Sequence, residues 1–375
     1  MKNILIIVLV IAALVGCNKT TSTTEESGIT ITGKVTNPAN GIVTIEEITQ
    51  DALVPIDTIE LNEDFTFNHR YTGAPGYYRV NFFGIQSITV ILDQDDINIT
   101  ADGGNARGQF EITGSRDLDA MRKFNTDLAS AFQTQEQQLN QEYGAAKQAG
   151  NEALALEVQG NYMKLMAQKE EYTVNAVNLM GPTLATFQLL NGLDKDKHYE
   201  TINSMALKLD AKYPDKYYIQ DLLDKMAIVK LTAIGNPAPE ISLPNPDGEV
   251  VKLSSLRGQV VLVDFWAEWC RPCRQENPNV VKAYNRFKDQ GFTVYGVSLD
   301  RTKDKWVKAI KDDGLTWTHV SDLKYFNSQA AADYGVQAIP FSLLVDRDGI
   351  IVAKNLRGVA LDQELEAYFE EEQTM

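Results

Sequence analysis

Cys270 and Cys273 stand three positions apart in the stretch FWAEWCRPCRQENP, Phe265 to Pro278, of a 375-residue chain that has only one further cysteine, Cys17. A disulfide between them closes so small a loop that it constrains the unfolded chain little, because the entropic gain grows with loop length. They are better read as reactive groups. Zinc wants four ligands, and beyond these thiols the chain offers only His69, His198 and His319, widely scattered. Thiol-disulfide exchange needs no more than the two sulfurs. Cys270 follows an apolar run and begins a helical pattern, where unpaired backbone N–H groups and the helix dipole stabilise an anion and lower a thiol pKa. It is the expected attacking thiolate. Cys273, one helical turn on, is the expected resolving cysteine, able to attack a mixed disulfide on Cys270 and release the reduced partner. Arg271 and Arg274 add positive charge that would favour the thiolate further, while Pro272 removes a donor that the first helical turn does not need. Asp264 lies six residues before Cys270, flanked by Val263 and Phe265, so its strand is predicted to be buried on both faces. A carboxyl there has a raised pKa and can exchange a proton with Cys273 during resolution.

The elements that must position these groups alternate. From about Ile234 onward the text reads VVLVDFWA, a helix over Cys270 to Gln290, FTVYGVSL, a helix over Lys303 to Asp313, AAADYGV, FSLLVD, GIIVAKNLRG and a terminal helix from Asp362. Strand and helix in alternation predict an α/β layer fold for residues 234–375. Ahead of it, IGNPAPEISLPNPDGE carries a proline-rich boundary. Residues 29–114 read differently, as about seven short β-branched and aromatic runs broken by turn residues, which predicts an antiparallel all-β domain. His69 and Arg70 share one of its strands and are read as surface residues. Residues 115–233 show helical spacing, with breaks at Gly181-Pro182 and Pro214, and predict four or five helices. Met163, Met166 and Met180 are assigned to the core of that region, and His198 to a solvated loop.

The N-terminus, MKNILIIVLVIAALVGC, has one basic residue and then an apolar run from Ile4 to Val15. Such a run falls short of the roughly 18 to 20 residues that span a bilayer and reads as a signal peptide over residues 1–16. Leu14-Val15-Gly16-Cys17 resembles the lipobox of bacterial lipoproteins, which implies lipidation of Cys17 and a polar tether over residues 17–28. With Cys17 lipidated, Cys270 and Cys273 are the only thiols of a protein held in an oxidising compartment. The length argues for two or three domains. Asp plus Glu number 51 against 35 Lys plus Arg, a net charge of -16 that disfavours nucleic acid as a partner.

VVLVDFWAEWCRPCRQENP resembles the active-site segment of thioredoxins, and GVQAIPFSLLVDRDGIIV resembles their cis-proline segment. The likeness covers about residues 235–372, and the long segment between the motifs is similar to the extra strand and helix of the TlpA-like and ResA-like subgroup, whose members are tethered outside the cytoplasmic membrane. The β region resembles, by pattern only, a small domain of unknown function found ahead of such modules. The resemblance implies a cis bond before Pro340, which would abut the cysteines and leave the Ile339 backbone open to an extended substrate strand. Trp266 and Trp269 would line that groove with Arg271 and Pro272, a place in the core being the other reading of Trp266, and Pro278 would kink the helix. Glu268 is expected to face water and Glu276 to lie near the thiols. Arg271 departs from the commonest thioredoxin dipeptide, Gly-Pro, which bears on the redox potential. Peroxiredoxins share the fold, but their peroxidatic pattern needs Pro and Thr where this chain has Val263 and Ala267.

These readings predict a multidomain, lipid-anchored protein of the cell envelope: an enzyme of thiol-disulfide exchange with no cofactor beyond the Cys270/Cys273 pair. It would reduce disulfides in exported proteins, apocytochrome c among the family's substrates, and would draw electrons from a membrane donor. Two other readings stay open: a disulfide-forming oxidase or isomerase, and a docking lipoprotein whose N-terminal domains are the working part.

Overall fold

The computed structural model describes residues 28–374; the expected signal peptide and the expected lipidation site, Cys17, lie outside the described residues. Two compact units divide the chain, one holding the residues to Glu46 with Pro55–Ser115, the other Glu47–Val54 with Arg116 onward. The first has eight strands, β1 (Ile29–Thr36), β2 (Val43–Ile48), β3 (Leu53–Ile59), β4 (Thr66–Tyr71), β5 (Gly76–Phe82), β6 (Gln86–Leu92), β7 (Ile97–Asp102) and β8 (Glu111–Thr113). They form two four-stranded sheets, in the orders β4-β1-β7-β8 and β3-β2-β5-β6. Alternation drives them, as in β5, where Tyr78, Val80 and Phe82 are buried and the residues between are not. Two expectations are corrected here. The eighth strand, three residues long, carries too little pattern to read, and the domain is not wholly antiparallel, because β1 and β7 pair in parallel.

Five helices follow: α1 (Arg116–Gln148), α2 (Glu152–Met180), α3 (Leu184–Asn191), α4 (Tyr199–Lys212) and α5 (Tyr217–Leu231). Asn151 caps α2, its side chain accepting from Leu154 N, and Thr183 caps α3 by accepting from Thr186 N. α1 and α2 bury only a thin stripe around Leu139, Val158 and Leu165, onto which Met166 packs. Met163 falls on the opposite side and is 65% exposed, so its assignment to the core is corrected. His198 is also corrected: it is half-buried at the start of α4, its Nε2 3.4 Å from Glu170 Oε2. Among the described residues no helix is long and apolar enough to cross a membrane.

The C-terminal part is built on a five-stranded sheet. A short hairpin, β9 (Ser242–Pro244) and β10 (Val250–Lys252), precedes β11 (Val260–Trp266), β12 (Phe292–Ser298), β13 (Thr318–Val320), β14 (Phe341–Val345) and β15 (Ile351–Lys354). The order is β13-β12-β11-β14-β15, with β11, β12 and β13 parallel and the other neighbours antiparallel. Helices α6 (Arg271–Phe287), α7 (Lys303–Asp312), α8 (Gln329–Asp333) and α9 (Val359–Thr374) complete it. β11 is central and covered on both faces, which is why it reads as a nearly continuous apolar run. Val260, Leu262 and Trp266 pack toward α6 and α9, while Val261, Val263 and Phe265 pack with α8 and the segment around Ile241.

Candidate active site

The central row of the sheet places Asp264 beside Gly296 and Gly296 beside His319. Gly296 is needed there, since a Cβ would come within 2.5 Å of His319 Nδ1. Strand alternation puts Asp264 on the face of Leu262 and Trp266, the face that packs beneath Cys270, Cys273 and α6. Asp264 keeps a little accessible surface, yet enough protein surrounds its carboxyl that burial dominates its chemistry. Burial, and then the charge of Glu276, push its pKa up from 3.8 to about 7, with Arg357 pulling the other way. A carboxyl poised near neutrality can both take and give a proton. His319 takes no part in such chemistry: burial lowers its pKa to about 3, so the ring is neutral.

β11 ends at Trp266, and the loop beyond it is held from β12. Leu299 N donates to Trp266 O at 2.8 Å, and Glu268 N donates to the carboxylate of the buried Asp300. Ser298 Oγ donates to the same carboxylate at 2.8 Å, and burial nevertheless keeps the Asp300 carboxyl above its ordinary range. Cys270 is thereby set at the N-cap of α6, where its Sγ accepts from the Cys273 N–H at 3.2 Å. The two cysteines are disulfide-bonded, with Cα atoms 5.3 Å apart. Pro272 occupies the first helical turn, where its missing N–H leaves nothing unsatisfied, and the helix continues through Pro278 to Phe287.

The Ile339-Pro340 peptide is cis, and the Ile339 carbonyl oxygen lies 3.7 Å from Cys270 Sγ. Arg357 donates to the Pro340 carbonyl, and the next residue, Gly358, donates its N–H to Glu276 Oε1 at 2.6 Å. The loop after β15 therefore closes the site from a third side. Glu276 lies three residues beyond Cys273 on α6, and Glu268 is half-buried rather than facing open water.

The structure brings Cys270, Cys273, Ile339 and Pro340 together, with Arg271 and Pro272 exposed at the tip of α6. Two other assignments are corrected. Trp266 does not line the groove: strand alternation turns its indole into the core, where it is 1% exposed. Arg274 does not lend its charge to the sulfur, because it is ion-paired with Asp313 at the end of α7 and donates through Nη2 at 2.6 Å. Trp269 is 43% exposed and stands against an aromatic wall that sequence reasoning missed, its ring 5.0 Å from Tyr325 and 6.2 Å from Phe326. The Arg301 guanidinium lies 4.1 Å above the Tyr325 ring. Arg357 was missed too. Its only signal is an arginine before a glycine after a strand, which fits any turn.

Residues 234–354 match the AhpC/TSA family and residues 29–121 match DUF4369, a domain of unknown function. The chain is 30% identical over 138 residues to the thiol-disulfide oxidoreductase ResA of Geobacillus thermodenitrificans, covering 37% of this chain and 77% of that protein. It is 29% identical over 135 residues to ResA of Bacillus thuringiensis, covering 36% and 76%. Among solved structures, the thioredoxin domain of a thiol-disulfide oxidoreductase from Bacteroides vulgatus is 42% identical, with a TM-score of 0.35 and coverage of 36% of this chain and 98% of that one. A disulfide at the head of α6, beside a cis-proline at the same end of a mixed sheet, defines a thioredoxin-like redox domain. The chain belongs to the ResA-type family of thiol-disulfide oxidoreductases and carries a DUF4369 domain at its N-terminal end.

Proposed function

We propose that this enzyme works outside the cytoplasm, from a lipid anchor on Cys17, as a reductase of disulfides in exported proteins, apocytochrome c among them. The Cys270 thiolate attacks one sulfur of a substrate disulfide, forming a mixed disulfide and releasing the other sulfur as a thiolate. Cys273, giving its proton to Asp264, then attacks Cys270 Sγ, so that the enzyme becomes the disulfide and the substrate leaves with two electrons. A membrane dithiol donor must return those electrons. No cofactor beyond the cysteine pair is required.

The observation that carries the direction is the pairing of Arg274 with Asp313. A cation beside Cys270 stabilises the thiolate and with it the reduced form, which makes a pair oxidising. Here the Arg274 cation is paired with another carboxylate, and Arg271 is exposed at the tip of α6, where solvent screens its charge. Equilibration of the oxidised protein against glutathione or dithiothreitol buffers is expected to give a potential near that of thioredoxin, about -270 mV, with about 30 mV to each tenfold in equilibrium constant. A value near about -120 mV would make the enzyme an oxidant and reverse the proposed direction. The anchor is tested separately. Cys17→Ser is expected to move the protein from the membrane fraction to the soluble one, and unchanged partition would remove lipidation.

A further inference from the structure

We infer that a cleft between α5 and the cis-proline segment receives a large apolar side chain of an extended polypeptide substrate, about three residues from the cysteine under attack. This rests on the reading of the protein as a disulfide reductase and names what that reductase recognises. The cleft has a volume of about 370 Å³; Ile228 and Val229 of α5 form one wall, and Phe326, Val336 and Phe341 form the other. The two walls are held at a fixed spacing. Lys354 Nζ donates to Asp196 Oδ1 at 2.5 Å and to Thr232 Oγ1 at 3.4 Å. Gly335, at φ 65, lets α5 approach so closely that a Cβ there would meet Ile228 Cγ2 at 3.0 Å.

Three observations join this cleft to the disulfide. Phe341 directly follows Pro340, and Ile339 O is 3.7 Å from Cys270 Sγ, so the cleft wall begins about 10 Å from the sulfur, or about three residues of extended chain. On the other side Trp269, next to Cys270, packs on Phe326, which lines the cleft, so an apolar track runs from the sulfur into it. Between these walls Gln337 and Ala338 are exposed, and the backbone N–H groups of Gln337, Ala338 and Ile339 make no backbone hydrogen bond among the described residues. Exposed backbone with unpaired N–H groups beside an apolar cleft suits a peptide strand, its main chain paired and one side chain buried, better than a small thiol compound. Of the charged residues that also line the cleft, Lys225 is paired with Asp221 and Lys354 with Asp196, while Lys195 and Asp224 add one charge of each sign. The lining therefore carries no net charge to select an ionic ligand, and the apolar residues of the two walls are left to select the side chain. The α5 wall lies outside the residues matched by either family, so this recognition would belong to the present architecture.

The probes are synthetic peptides, each with one cysteine held as a mixed disulfide with glutathione. One set carries Trp or Leu three residues before or after the cysteine, and the other carries Ser there. The full-length reduced protein is expected to show a kcat/KM about tenfold higher for an apolar peptide than for its Ser counterpart. Ala332→Trp, which fills the cleft from α8, and Val229→Asp, which charges the opposite wall, are each expected to bring that ratio close to one. Because the readout is a ratio, partial loss of folded protein does not move it. Equal rates in the parent, or a preference that survives both substitutions, would overturn the cleft assignment while leaving the reductase reading intact. Failure to reduce any of the peptides would instead overturn the reductase reading, and this inference with it.

Discussion

Replacement of Cys270 by Ser is expected to lower the rate of insulin or model-disulfide reduction by at least about a thousandfold, since a hydroxyl cannot take the place of a thiolate in attack on sulfur. The site concentrates that role on Cys270. It is the residue whose sulfur accepts an N–H at the head of α6 and faces the Ile339 carbonyl that precedes the cis-proline, and it keeps 4% exposure against 1% for Cys273. Cys273→Ser is expected to behave differently: the first attack proceeds, and a covalent mixed disulfide on Cys270 accumulates, visible by mass spectrometry as a stable adduct with substrate. A Cys270→Ser protein that reduces disulfides at the parental rate would rule out the exchange chemistry. Loss of reductase activity with unchanged partner binding would separate enzymatic work from docking by the N-terminal domains.

What the sequence made legible follows the range of the interactions involved. The reactive pair was legible because Cys-x-x-Cys, the preceding apolar strand and the helix it opens are contiguous, and Asp264 because a lone carboxyl in VVLVDFW has nowhere polar to point. The cis-proline came from resemblance, since nothing in Ala338-Ile339-Pro340 requires that isomer. The failures lie where distant partners decide. Arg274 reads as a cation beside a thiol until Asp313, 39 positions away, is folded against it. Parallel pairing of β1 with β7 is invisible to alternation, which marks faces but not neighbours. The groove position of Trp266 came from resemblance, whereas the strand's own period of two sends its side chain into the core. Tyr325 and Phe326 carry no periodic signal because they sit in a three-residue 3-10 turn after β13, too short for a repeat to show, with Tyr325 at φ 59.

Asp264→Asn is expected to slow resolution of the mixed disulfide by about a hundredfold at pH 7 and to remove its rise through that pH, because an amide cannot take the Cys273 proton. Rapid-mixing measurement of the second step, followed by tryptophan fluorescence from pH 5 to 9, checks this; an unchanged pH profile would exclude Asp264 as the proton acceptor. The same substitution has a stability signature whose sign is fixed by the shift. The folded-state pKa, about 7, stands above the unfolded value of 3.8, so the native protein holds the proton more tightly. That contribution is fully present below the unfolded value and is lost as pH rises through about 7. At about 1.36 kcal/mol per pH unit the full loss approaches about 4 kcal/mol. In the oxidised protein, where the two cysteines do not titrate, urea unfolding should therefore show the parent losing stability relative to Asp264→Asn between about pH 4 and pH 8. A gap that stays constant across that range would mean that the carboxyl is ionised inside the fold at ordinary pH, and Asp264 would then have to be held by solvent or by Arg357 rather than by burial.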